Sequence, residues 1–185
     1  MPEGTTIPVT VVIALAVLSW LVPHLLEIKR KRDESRLAFF EDQIENFLGP
    51  LAGIIDETFV VYDIASQVLP RNQNGQIDQD LLESDEQIET WRYFQETYFF
   101  KLNRQAVDLI IAKQHTLGPE IPGSFRELLG HAVELESLFG LWKSRGISSA
   151  VQGKPWPAEL QRDVHRLLEN AQSQYNKQLL KTRRN

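Results

Sequence analysis

The sequence predicts an all-α protein in which one N-terminal transmembrane helix is followed by a four- to five-helix cytosolic bundle. Three observations predict it. No charged residue falls between Glu3 and Glu27, and residues 7–26 are predominantly apolar. Beyond that run, apolar residues recur at alternating spacings of three and four, the period of an amphipathic helix. No alternating strand pattern of useful length interrupts them.

The apolar run comes first. Twenty residues at about 1.5 Å rise span roughly 30 Å, the thickness of a bilayer's hydrocarbon core. A single segment satisfies its own backbone in lipid only as a helix. Pro8 falls in the first turn, where its missing donor costs little, and Trp20, Pro23 and His24 suit the interface. A cleaved secretory leader would carry its positive charge ahead of the apolar run, whereas here the basic residues follow it. Lys29, Arg30, Lys31, Arg32 and Arg36 form that membrane-flanking cluster. Positive flanks stay on the cytoplasmic side, so residues 1–6 are expected as a short non-cytoplasmic tail and 27–36 as a basic juxtamembrane segment. The helical domain, 37–182, and a basic tail, 183–185, are expected on the cytoplasmic side of a cell's inner (plasma) membrane. The bilayer is thus the first expected partner. Thr6, Thr10 and Ala14 recur every four residues, a spacing that lets two spans approach closely.

In the cytosolic part, Leu37, Phe40, Ile44, Phe47 and Leu48 mark one helix face. Gly49-Pro50 is expected to break this helix, because proline disfavours helical backbone in the residue before it. A second stripe restarts with Leu51, Ile54, Ile55 and Phe59. Residues 70–75 form a turn-rich loop. Ser84 with Gln87 makes a capping box ahead of Ile88, Trp91, Tyr98 and Leu102, and this long run is expected to bend near 100–103. Ser124 with Glu127 makes a second box, leading Phe125, Leu128, Leu129, Ala132 and Leu135. After a loop over 146–156, Pro157 opens the last stripe, Leu160, Val164, Leu167 and Leu168.

Composition excludes several functions. The 185 residues contain no cysteine, which removes disulfides, thiolate metal sites and cysteine nucleophiles. Net charge is −5, and residues 41–136 hold 6 basic against 18 acidic residues. Such a surface repels phosphate backbones, so no nucleic acid is expected as a partner. Phosphate-binding glycine loops and nucleophile elbows are absent. No catalytic residue, cofactor or metal is therefore assigned. Residues 72–78 imitate the middle of a calcium loop, but Pro70 and Leu81 stand where its carboxylates belong.

One polar constellation stands out. Glu127, His131 and Glu134 project from neighbouring turns of one helix and form a speculative polar site. The di-iron pattern needs Glu-x-x-His, and here the order is reversed, so metal binding is not expected. His165 and Glu169 form a second pair at four-residue spacing.

The residues 47–51 (Phe-Leu-Gly-Pro-Leu), Trp91, Asn103-Arg104, the Phe125, Leu128, Leu129 and His131 pattern, Trp142, Trp156-Pro157 and residues 178–180 spread over most of the soluble part. In them the chain resembles a group of uncharacterised bacterial single-pass membrane proteins with a cytosolic helical domain. That resemblance implies a bacterial inner-membrane setting and transfers no catalytic residues.

The function expected from these features is that of a membrane-anchored interaction or scaffolding module that binds another protein, not an enzyme. Trp156 is the expected exposed partner contact. Two alternatives stand beside it: a ligand sensor or enzyme using Glu127, His131 and Glu134, and a structural homo-oligomer.

Overall fold

A computed structural model describes residues 9–78, 81–119, 121–145 and 154–183; the side chains of residues 9, 11, 13–16, 142, 145 and 183 are not among those described. The described chain is all-helical: α1 (Val9–Gln43), α2 (Gly49–Val68), α3 (Asp85–Phe94), α4 (Phe100–Lys113), α5 (Gly123–Arg145) and α6 (Leu160–Arg183). Two π-helical turns, Ile44–Leu48 and Gln95–Phe99, precede α2 and α4, and a 3-10 turn, Gln114–Leu117, follows α4. Two compact units result: residues up to 41 with those from 172 onward, and residues 42–171.

In the larger unit the stripes read from the sequence form the core. Phe47, Leu51 and Ile55 meet Ile110 of α4, Phe125 and Leu128 of α5, and Leu160 and Val164 of α6, all fully buried. Phe47 and Phe125 pack edge to face with centroids 6.5 Å apart. A second cluster joins Val61, Ala65 and Leu69 to Phe94, Phe99 and Leu102.

The expected break at Gly49-Pro50 does not occur. Leu48 (φ −70°, ψ −36°) and Gly49 (φ −63°, ψ −56°) both keep helical backbone. Two physical reasons explain this. The pre-proline clash falls partly on a Cβ that Gly49 lacks. The π turn also carries the Gly49 N–H to the Ile44 carbonyl, five residues back, so the turn absorbs one extra residue. Phe47 and Leu48, adjacent in sequence, are both buried there. The expected bend near 100–103 is likewise corrected: the irregularity is the π turn at Gln95–Phe99, and α4 is regular from Phe100.

The first capping box is present, with the Ser84 hydroxyl accepting from the Gln87 N–H at 3.2 Å and Gln87 Oε1 accepting from the Ser84 N–H at 3.3 Å. The second is not. α5 begins at Gly123, one residue before its expected cap, so Ser124 lies inside the first turn. Its hydroxyl donates instead to Asp163 Oδ2 at 2.7 Å, in the core beside α6. In the loop after α2, Asn72 Oδ1 accepts from the N–H groups of Asn74 and Gln76, and Gly75 takes φ 77°. The side chain that imitated a calcium ligand thus closes its own turn.

In the smaller unit, Asp33 and Gln178 are buried against each other. Gln178 Nε2 donates to Asp33 Oδ1 at 2.9 Å across 145 residues of sequence. Among the described residues no helix is long and apolar enough to cross a membrane. The expected span begins before the described residues, and several of its side chains, with the 1–6 tail, Thr6 and Ala14 of the small-residue stripe, and residues 184–185, lie outside them.

Candidate functional site

The constellation on α5 is drawn together by a residue that its spacing did not reveal. Lys154 lies across α5 at Gly130. A Cβ on Gly130 would sit 3.1 Å from Lys154 Nζ and 3.2 Å from Lys154 Cδ, so the missing side chain makes room for the lysine stem. At the next residue, His131 Nδ1 lies 2.6 Å from the Lys154 carbonyl oxygen. A carbonyl only accepts, so Nδ1 carries the proton of this bond. Glu134 Oε2 accepts the Lys154 backbone N–H at 2.7 Å, and Oε1 stands 3.3 Å from Lys154 Nζ. Glu127 is exposed one turn before His131 and is not part of this arrangement.

Trp156 follows directly. Expected as an exposed aromatic, it is half-buried, packing edge-on against Phe59 (6.2 Å) and His131 (5.5 Å) and against the main core. Its indole Nε1 is buried without a hydrogen-bond partner among the described residues. The physical reason is the clasp itself: with both sides of Lys154 fastened to α5, the ring two residues later is directed inward.

These bonds shift one group. The Lys154 backbone N–H, and behind it the Lys154 ammonium, hold the Glu134 carboxyl below its ordinary value of 4.5. A carboxylate with a depressed folded value stabilises the fold above its unfolded value, and that contribution is lost as pH falls through the folded one. Acidification from pH 5 downward is therefore expected to loosen residues 154–156, read as increased solvent quenching of Trp156 with the other three tryptophans replaced. In a Glu134→Gln variant this pH dependence should vanish; if it persists, the clasp does not depend on Glu134.

His165, paired in sequence with Glu169, turns instead to α2. Its Nε2 is 3.0 Å from Asp56 Oδ1, which also accepts from Gln161 Nε2 at 2.9 Å. Burial raises the Asp56 value, but the bonds from His165 and Gln161 outweigh it and leave the carboxyl lowered. Both constellations therefore spend their polar atoms on fastening helices and a loop. Among the described residues no group of three histidine or acidic side chains is placed to hold a metal ion.

Two groups of exposed apolar side chains stand out among the described residues. On α1, Val12, Val17, Leu18, Trp20, Leu21, Val22, Leu25, Leu26 and Ile28 are all exposed. At 100° per residue these positions surround the helix without a polar side. On α2, by contrast, Val60, Ile64 and Val68 recur every four residues, 50–60% exposed, as a single stripe. The basic cluster, Lys29 to Arg32 with Arg36, begins directly after the α1 band; Arg30 pairs with Glu34 and Lys31 with Glu27. No protein-family model, curated protein or solved structure matches the chain.

Proposed function

We propose that the protein is a membrane-tethered helical module whose cytosolic domain binds another protein. The reading is carried by the contrast between the two exposed apolar surfaces. A groove on a partner protein covers one face of a helix, whereas α1 exposes large apolar side chains on every side, which suits a lipid solvent. Residues 7–26 cross the bilayer, and the basic cluster retains residues 27–185 in the cytoplasm. The stripe Val60, Ile64 and Val68 on α2 is one-sided and of the width that a partner helix or groove covers. Tethering concentrates whatever that stripe binds at the membrane, a mechanism that needs no chemistry.

Alkaline carbonate is expected to leave the full-length chain in the membrane fraction; release would overturn the anchor. A photo-crosslinker placed at residue 64 in intact membranes is expected to form one discrete adduct that a Val60→Asp change abolishes. No adduct above that from the neighbouring exposed position 63 would overturn the binding face. An adduct of twice the chain's mass would assign the stripe to a homo-oligomer instead.

A further inference from the structure

The smaller unit contains a groove between the second half of α1 and the end of α6, with a volume of about 780 Å³. Arg32 and Arg36 come from one wall, Lys177 and Lys181 from the other, and Phe39 and Phe40 lie along its length. Two cationic segments separated by some 140 residues of sequence are held together here. The buried Gln178–Asp33 bond accomplishes it, lying between the two lysines on one helix and beside Arg32 on the other. With cationic side chains on both walls, an anion lying in the groove is attracted from two sides. Arg32, Arg36 and Lys177 have no carboxylate partner among the described residues, although Arg30 and Lys31, two and one positions before Arg32, are both paired. The groove also offers apolar surface: Phe39 is 46% exposed beside the cations.

Position on the helix identifies the source of the anion. Arg32 and Arg36 lie six and ten residues past Leu26, roughly 9 and 15 Å along the axis. Helical side chains slant toward the N-terminus, so both guanidinium groups reach back toward the bilayer. The polar zone of one leaflet is about 5–7 Å deep, so a phosphate at its outer edge is within reach of the groove. We propose that this groove is a binding site for the phosphate headgroup of an anionic phospholipid, with Arg32, Arg36 and Lys177 on the phosphate and the two phenylalanines against the adjoining glycerol and acyl chain. The proposal rests on the membrane-tethered reading for its choice of a lipid over a soluble phosphate.

The test uses the full-length chain in neutral detergent micelles. Labelled phosphatidic acid or phosphatidylglycerol is titrated in, against phosphatidylcholine, and retained lipid is counted per chain. One anionic lipid per chain is expected, with phosphatidylcholine not retained. Each basic residue near anionic lipid contributes about fivefold in affinity, so Arg36→Gln with Lys177→Gln should weaken retention roughly 25-fold. Lys29→Gln with Arg30→Gln removes the same charge outside the groove and should leave retention within about fivefold of the unaltered chain. Equal losses in the two double variants would show diffuse attraction and overturn the site, as would retention of neither anionic lipid above phosphatidylcholine. Displacement by inorganic phosphate at the lipid's own concentration would assign the groove to a soluble phosphate and overturn the lipid. Co-flotation with pure phosphatidylcholine vesicles reports the anchor separately: a chain that fails to float yet retains one anionic lipid loses the anchor and keeps the groove.

Discussion

Replacing Phe47 with alanine is expected to cost the helical domain about 3–5 kcal/mol, the range for truncating a fully buried phenylalanine. Phe47 is 0% exposed, and its ring meets Phe125 of α5 edge to face, so the deletion removes both its own burial and half of an aromatic pair. It also sits in the π turn, beside Leu48, which is itself buried. Domains of this size commonly have about 5–15 kcal/mol in total, so the variant should lie close to its unfolding limit. Urea unfolding of the full chain in neutral detergent, followed by helical circular dichroism, measures it. A loss under about 1 kcal/mol would mean that Phe47 is not at the centre of this core.

A smaller substitution should also destabilise the domain two residues later. A methyl group on Gly49 would lie 2.7 Å from the Ile44 carbonyl oxygen, closer than side-chain carbons approach backbone. That oxygen accepts the bond that closes the π turn, so it cannot move without opening the turn. Gly49→Ala is expected to destabilise by about 1–3 kcal/mol, the cost of overpacking a tight site. Gly53, four residues on in the same helix, has nothing within 4 Å of its added carbon. Gly53→Ala should therefore stabilise by about 0.5–1 kcal/mol, as alanine does in an ordinary helix interior. Opposite signs at two glycines one turn apart are the signature of the π turn. Two equal gains would show that the turn readily reverts to a plain α-helix.

The parts of this fold that depend on local period were legible in the amino-acid order. Leu51 and Ile55 on α2, Phe125 and Leu128 on α5, and Leu160 and Val164 on α6 face the core because three-and-four spacing places them on one side of a helix. What the order of residues did not disclose is whatever a side chain does at long range. Ser124 reads as a cap because three residues separate it from Glu127, yet its hydroxyl bonds Asp163, 39 residues away. His131 and Glu134 read as a polar pair, and their common partner, Lys154, lies 20 residues past Glu134 with no periodic signal to link them. The lysines that join Arg32 and Arg36 are brought there by the Gln178–Asp33 bond, across 145 residues of sequence. The π turns were hidden for another reason: a five-residue bond has no side-chain signature. Gly49 before Pro50 was the available clue, since only a residue without Cβ fits both constraints.

The Asp33–Gln178 bond also sets an order of events during synthesis. At about 5–20 residues per second, a ribosome needs roughly 7–30 s to travel from one partner to the other. For that interval Asp33 lacks its partner, because Gln178 is synthesised after the residues that fill the larger core. The smaller unit therefore closes only once α6 has been made. A nascent chain stalled ahead of α6 would expose the lone arginine wall of the groove to chaperones and proteases until translation resumed.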